Sequence, residues 1–253
     1  MKIPINCMQC FQEQLEPSSE FQSVEIRDDG LYSSTCNKGH TTLTVVQQQK
    51  FEILFEFGAM ALLDGYPREA ITSIAASLER FYEFYITVTC MKHNIELVNL
   101  EKTWKHVSAQ SERQFGGYLF TYLVDHQGSE PPVIDNDKPN LLDTSRGNTK
   151  NWKEFRNAVV HKGYIPSVND TLAYGNIVYH HLYDLIKDLK DRSGNFVQKA
   201  TFHHIARAHE AANGKVVSTM ILPTIINLEQ KPLESLEKAL DTLKCRHRHI
   251  MHM

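Results

Sequence analysis

Two pairs of metal-ligand residues place the tightest constraint on how this chain folds at its start. Cys7-x-x-Cys10 and Cys36-x3-His40 flank a stretch that alternates as short strands do. That stretch reads "FQSVEIR", a turn at Asp28-Asp29-Gly30, then "LYSST";. Two close ligands on one tight turn chelate an ion, and a second pair closes the tetrahedron. Two such knuckles with a hairpin between them make a zinc ribbon. The Gly39-His40 step suits a knuckle that turns sharply. With Cys7, Cys10, Cys36 and His40 filling all four positions, the expected Zn2+ is structural, with no open position for catalysis. Five Cys in a chain with no visible signal peptide fit a reducing, cytoplasmic setting and metal or free thiols better than a disulfide framework;.

From Thr44 the hydrophobic period changes from two to that of a helix. "VVQQQKFEILFEFGAMALLDG" reads as one helix ending at Gly65, and Pro67 suits the first turn of the next, which is expected to run to about Asn94;. That second helix carries an apolar stripe from Ile71 to Val88 beside a polar strip with Glu79, Arg80 and Glu83. A third helix is expected over 96–125, a long loop over 126–149, a short helix over 150–162 and another over 168–190. Beyond these, 200–212 is helical, "KVVSTMILPTIINL" is strand-like with Pro223 marking an edge or a break, and a terminal helix starts at Leu233;. The tail "CRHRHIMHM" reads as a frayed end, with RNA or stray-metal contact as the other reading. The expected fold class is therefore mainly α, divided into a β zinc ribbon over 1–43, a bundle of about five helices over 44–192 and a small α/β extension over 193–253.

The run Arg156-Asn157-Ala158-Val159-Val160-His161 falls at the end of the 150–162 helix. At about 100° per residue, Asn157 and His161 share a face, and Arg156 reaches it by bending its long side chain. Gly163 and Pro166 mark the stop, which puts His161 in the last turn, where the helix dipole favours an imidazolium. Arginine grips phosphate with a planar fork, and histidine moves protons near neutral pH. Lys150, Lys153, Arg156 and Lys162 make the patch basic in a chain of net charge −3. In this reading Arg156, Asn157 and His161 are catalytic and Lys153, Lys162 and Tyr164 hold substrate. Glu79 and Glu83 either orient Arg156 or His161 or form a solvated strip.

The segment "FRNAVVHKGYIPS" resembles the R-x(4–6)-H motif of the HEPN superfamily, with the polar residue after arginine that active members usually carry. "SIAASLERFYEFYI" at 73–86 is similar to the second helix of that fold, and the resemblance spans roughly 44–192. It implies a HEPN-like helical bundle acting as a homodimer with paired motifs. It also implies a metal-independent RNA endonuclease that cleaves through the RNA 2′-hydroxyl, leaving a 2′,3′-cyclic phosphate and a 5′-hydroxyl. Such proteins serve in toxin–antitoxin and phage-defence systems, so an antitoxin or another defence protein is an implied partner. HEPN toxins paired with nucleotidyltransferase antitoxins carry Tyr two residues after His; here Lys162 and Gly163 precede Tyr164. Other members only bind RNA or a partner, and a non-catalytic module that docks through its zinc ribbon is the alternative.

Composition narrows the rest. A pI near 6.5 argues against a general polyanion binder, so any RNA contact is local;. The most apolar run, "FEILFEFGAMALL", is too short for a membrane span and carries Glu52 and Glu56;. The phosphate-loop, dinucleotide and nucleophile-elbow motifs are absent;. His180-His181, His203, His204 and His209 lie at spacings or distances that keep them out of the expected site.

Overall fold

The run Thr41-Thr42-Leu43-Thr44-Val45-Val46, β-branched at every position but Leu43, folds as a strand, although helical periodicity is expected from Thr44 onward;. In the computed structural model, which describes residues 2–16, 20–134 and 150–251, the first elements are β1 (Lys2–Asn6), α1 (Met8–Gln14), β2 (Phe21–Glu25), β3 (Leu31–Thr35) and β4 (Thr41–Val46). Next come α2 (Lys50–Leu63), α3 (Pro67–Lys92), α4 (Leu97–Trp104), α5 (Ser111–Asp125), α6 (Trp152–Lys162), α7 (Val168–Ser193) and α8 (Asn195–Ala211). The chain closes with β5 (Val217–Met220) and α9 (Leu236–Met251). The protein is mainly helical, with nine helices and two small sheets among the described residues. Residues 135–149 of the expected 126–149 loop lie outside the described residues.

Two compact units emerge: Met1–Gln49 with Thr201–Pro223, and Lys50–Ala200 with Thr224–Met253. The expected extension 193–253 is thus shared between them, and the division falls inside α8.

In the first unit, β1 pairs antiparallel with β2, Ile3 opposite Val24. β3 pairs antiparallel with β4, Leu31 opposite Val45. The Asp28-Asp29-Gly30 turn exists, with Gly30 at φ +66 and the Leu31 N–H on Asp29 Oδ1 at 3.1 Å. The hairpin expected across it does not: β2 and β3 belong to different sheets, because each finds its hydrogen-bonding partner elsewhere. The strand-like segment at 216–228 resolves into β5, parallel to β4 with Val45 opposite Thr219, and an irregular stretch beyond it. Parallel strands need a long connection, and here nearly the whole helical part of the chain supplies it. The Thr44 and Ser218 hydroxyls join the two strands at 2.9 Å.

The second unit is built on α2 and α3. Gly65 at φ +79 turns the chain between them, and Pro67 opens α3. The Ser77 hydroxyl donates to the Phe51 carbonyl at 2.7 Å, and the Phe51 and Phe81 rings meet edge-on at 5.1 Å. A Cβ on Gly58 would lie 2.5 Å from Ile74 Cγ1 and 2.9 Å from the Ala70 carbonyl, so close approach of the helices requires glycine there. Gly58→Ala is expected to destabilise the protein by about 1–3 kcal/mol, as overpacking does, despite alanine's better helix propensity. Thermal unfolding checks this; an unchanged or raised Tm would refute it.

The single helix expected over 96–125 is broken between Trp104 and Ser111. The Arg113 guanidinium donates to the His106 carbonyl at 3.2 Å, and the Gln114 amide donates to the Ser108 carbonyl at 2.7 Å. These side chains satisfy backbone groups that a continuous helix would have paired. Glu52 and Glu56 are buried on α2, where their carboxylates accept the backbone N–H groups of Leu228 at 2.9 Å and Ile225 at 2.8 Å. The Tyr183 hydroxyl donates to the Ile225 carbonyl at 2.8 Å. Side chains of α2 and α7 therefore do for this buried irregular segment what a sheet would otherwise do. The frayed end expected at 245–253 gives way to a helical backbone as far as Met251.

Candidate functional site

Two groups of side chains stand apart from the packing. The first builds up from α1. Cys7 is the N-cap of this helix and its sulfur lies 3.5 Å from the Cys10 N–H, so one helical turn places both thiols on one side. The second pair sits on the β3–β4 turn, where the Cys36 N–H donates to the His40 carbonyl at 3.0 Å and the Gly39 N–H to the Cys36 carbonyl at 2.9 Å. Gly39 takes φ +83, as the turn requires;. The donor atoms of Cys7, Cys10, Cys36 and His40 all lie within 4.8 Å of one another.

Cys10 Sγ is 3.7 Å from Cys36 Sγ and 3.4 Å from His40 Nδ1, and Cys7 Sγ is 3.8 Å from the same nitrogen. A tetrahedron with thiolate bonds of about 2.3 Å and imidazole bonds of about 2.0 Å has edges of roughly 3.5–3.8 Å. The four residues fit a metal ion such as zinc. Burial, together with the Cys7 and Cys36 thiols, pushes the Cys10 thiol up to about 12. Burial also acts upward on Cys36, but backbone groups of His40 and Lys38 and the neighbouring thiols outweigh it and hold that thiol below its usual value.

His40 Nε2 faces Glu13 Oε1 at 3.4 Å, which leaves Nδ1 toward the sulfurs. Sequence reasoning missed Glu13. The signal was there: Glu13 follows Cys10 by three residues, one turn along the same helix face. Glu13→Gln is expected to lower metal affinity by about 10–100-fold through loss of this orienting carboxylate. Competition with a chromophoric chelator measures it, and an unchanged affinity would remove Glu13 from the site.

The second group lies on α6. Asn151 caps its start by accepting the Glu154 N–H at 2.9 Å. Trp152, Phe155 and Val159 bury one face, with Phe155 and Trp152 each about 6 Å from the Tyr174 ring of α7. Gly163 ends the helix at φ +70, and the Tyr164 N–H returns to the Ala158 carbonyl at 3.0 Å. The core side thereby fixes which residues face outward.

Arg156 is mostly buried, its side chain 16% exposed. Its Nε and Nη2 donate to Asn157 Oδ1 at 3.3 and 3.2 Å, so the guanidinium bends toward the Asn157 side. It also faces Glu79 of α3 at 3.9 Å, in a narrow cleft lined by Leu78, Ser111, Glu112 and Lys153. Burial raises the Glu79 carboxyl above its ordinary range, against the opposing pull of Arg156 and Arg80. Glu112 is held below its ordinary range, first by its own backbone N–H at the start of α5 and then by Ser111, Arg156 and Lys153.

His161 is exposed in the last turn of α6 and makes no hydrogen bond or ion pair among the described residues. Lys153 and Lys162 are exposed, whereas Tyr164 is half-buried with its ring edge-on to Phe155 at 6.2 Å. The structure thus brings Arg156 and Lys153 to one cleft, with Asn157 bonded to the guanidinium from outside its lining, and leaves His161 exposed. Glu83 does not reach Arg156; it pairs with Arg80 at 2.7 Å. Glu112 and Ser111 were not legible as neighbours of Arg156, because only the packing of α5 on α3 brings them there. Of the histidines outside the motif, His204 is bonded to the Val46 carbonyl at 3.1 Å, and burial pushes His181 down to about 4.

No protein-family model, curated protein or solved structure matches the chain. No helix among the described residues is long and apolar enough to cross a membrane.

Proposed function

We propose that the chain is a metal-independent RNA endonuclease of the HEPN type whose N-terminal Cys3His group holds a structural zinc ion. The observation that carries this reading is the fold-back of Arg156 onto Asn157, at 3.2–3.3 Å. Asn157 shares a helix face with the exposed His161 one turn on. A phosphate-gripping cation and a proton-transfer group are therefore offered from one short helix, as the R-x4-H resemblance implies.

In this mechanism Arg156 offsets the charge that builds on the scissile phosphate. His161 takes the proton of the RNA 2′-hydroxyl or gives one to the leaving 5′-oxygen. Asn157 holds the guanidinium, and Lys153 and Lys162 hold flanking phosphates. One motif supplies one histidine, whereas in-line cleavage benefits from a separate acid and base. A two-fold homodimer with the α6 helices near its axis supplies the second. Cys7, Cys10, Cys36 and His40 would hold a zinc ion with all four positions filled, so it would support the fold around them rather than take part in the reaction;. The test is incubation of end-labelled RNA, tRNA included, in EDTA, followed by end-group analysis of the products. A 2′,3′-cyclic phosphate and a 5′-hydroxyl are expected.

The alternative is a binding module that grips RNA or a protein without cutting. What favours it is the acidic surround of Arg156, with Glu79 at 3.9 Å and Glu112 in the same cleft, which competes with phosphate for the guanidinium. Binding without cleavage across a broad RNA panel would select this reading.

A further inference from the structure

Next to the Arg156 cleft lies a second, larger hollow of about 340 Å³, lined by Phe115, Leu119, Phe120 and Leu123 of α5, with Lys153 and Glu130 as its charged members. Phe115 and Lys153 line both. The two hollows are therefore neighbours that share Phe115 and Lys153 in their walls. The hollow is open and mainly apolar, and Phe120 is 72% exposed, which is high for a phenylalanine in the middle of a helix. Leu123 and Val124 follow it on the same face and are also exposed;. The volume sits at the low end for ligand pockets, room for a single base and its sugar rather than a long ligand.

We infer that this hollow is a nucleobase subsite for single-stranded nucleic acid, in which a base stacks on Phe120 while the adjoining phosphate meets Lys153 and Arg156. Cations set the polarity: the Arg156 cleft carries both Arg156 and Lys153, and phosphate binds them there in competition with Glu79 and Glu112. The hollow has only Lys153, at the shared end, and its Glu130 accepts the amino or imino hydrogens of a base edge;. Single strands bind sequence-tolerantly where aromatic platforms stand beside basic groups. The inference rests on the RNA reading of the α6 site, and it supplies what that site lacks: a preference for unpaired over duplex substrate, since a paired base cannot enter.

The test uses the full chain and a short, end-labelled single-stranded oligonucleotide in three forms: RNA, DNA of the same sequence, and a fully abasic strand. Fluorescence anisotropy reads affinity. The expected result is that Phe120→Ala weakens RNA and DNA binding alike, by roughly ten- to hundredfold. Phe120→Trp retains the affinity, and the abasic strand binds weakly and is indifferent to either change. Because Phe120 is exposed, alanine there leaves the helix content unchanged, which circular dichroism verifies. RNA binding that Phe120→Ala does not weaken would overturn the subsite and leave the nuclease reading standing. Binding that depends on Phe120, with no RNA cut by the wild type, would uphold the subsite and overturn the nuclease reading. No nucleic-acid binding by the wild type would overturn both. A change from dimer to monomer on Phe120→Ala, seen by light scattering with nucleic-acid affinity unaltered, would reassign the apolar stripe to a contact between two copies of the chain.

Discussion

His161→Ala is expected to lower the rate of the proposed RNA cleavage by about 10²–10⁴-fold, the usual worth of a positioned acid or base. The protein stays folded, because the imidazole is exposed and makes no hydrogen bond among the described residues. Arg156→Ala is comparably damaging to the rate. Arg156→Lys rescues only in part, since an ammonium reproduces neither the planar fork nor the paired contact with Asn157. RNA affinity separates the two positions: it survives His161→Ala better than Arg156→Ala, because only the guanidinium is permanently charged. DNA of the same sequence is expected to be bound but not cut, for it lacks the 2′-hydroxyl that acts as nucleophile in the proposed mechanism. EDTA is expected to leave cleavage intact as long as a metal held by the Cys3His group stays in place. Equal cleavage of DNA would refute the 2′-hydroxyl mechanism, and a fully active monomer at micromolar concentration would refute the paired motif.

Cys36→Ser is expected to abolish stoichiometric metal binding and to unfold the strands around the Cys3His group, while the helices from Lys50 to Ala200 persist. Elemental analysis of the wild type is expected to give about one zinc per chain. The effect is large because a closed four-ligand site hardly exists in the unfolded chain. Its binding energy, about 10–16 kcal/mol in small zinc-dependent peptides, is then folding energy. The strands near the ligands are short: β1 and β2 form a separate two-stranded sheet, and β3 and β4 are five and six residues long, with β5 pairing on the far side of β4. The helical unit has its own core, in which Phe55, Ile74, Phe81, Tyr85 and Leu182 are fully buried. Strand and metal readouts check each other, since a chelator-treated sample is expected to show the same loss of strand signal as the Cys36→Ser protein. A metal-free preparation with an ordered N-terminus would disprove the claim.

What was legible along the chain was the set of features that short-range chemistry decides. Two ligands three or four residues apart on a turn must come close whatever surrounds them, and the four knuckle residues do lie together. A glycine after a helical run, followed by a proline, ends a helix at Gly163 because few residues tolerate its left-handed backbone and none continues the helix through proline. Apolar spacing identified α3 and α7 for the same reason, since a stripe at helical period has to bury one face.

Choices among partners far apart in sequence were settled only by the tertiary structure. A strand carries no local mark of its neighbour, so β2 and β3, which read as a hairpin, enter separate sheets, and β5 joins β4 from the other end of the chain. Glu52 and Glu56 read as charges that rule out a membrane span, yet each accepts a backbone N–H from the segment at 225–228. Whether a carboxylate is solvated or buried depends on which unpaired amides the fold delivers to it. The same holds at the candidate site. The sequence placed Arg156, Asn157 and His161 on one helix, but the packing of α6 on α3 set Glu79 beside the guanidinium, and that of α5 on α3 brought Glu112 there and formed the aromatic hollow next to Lys153.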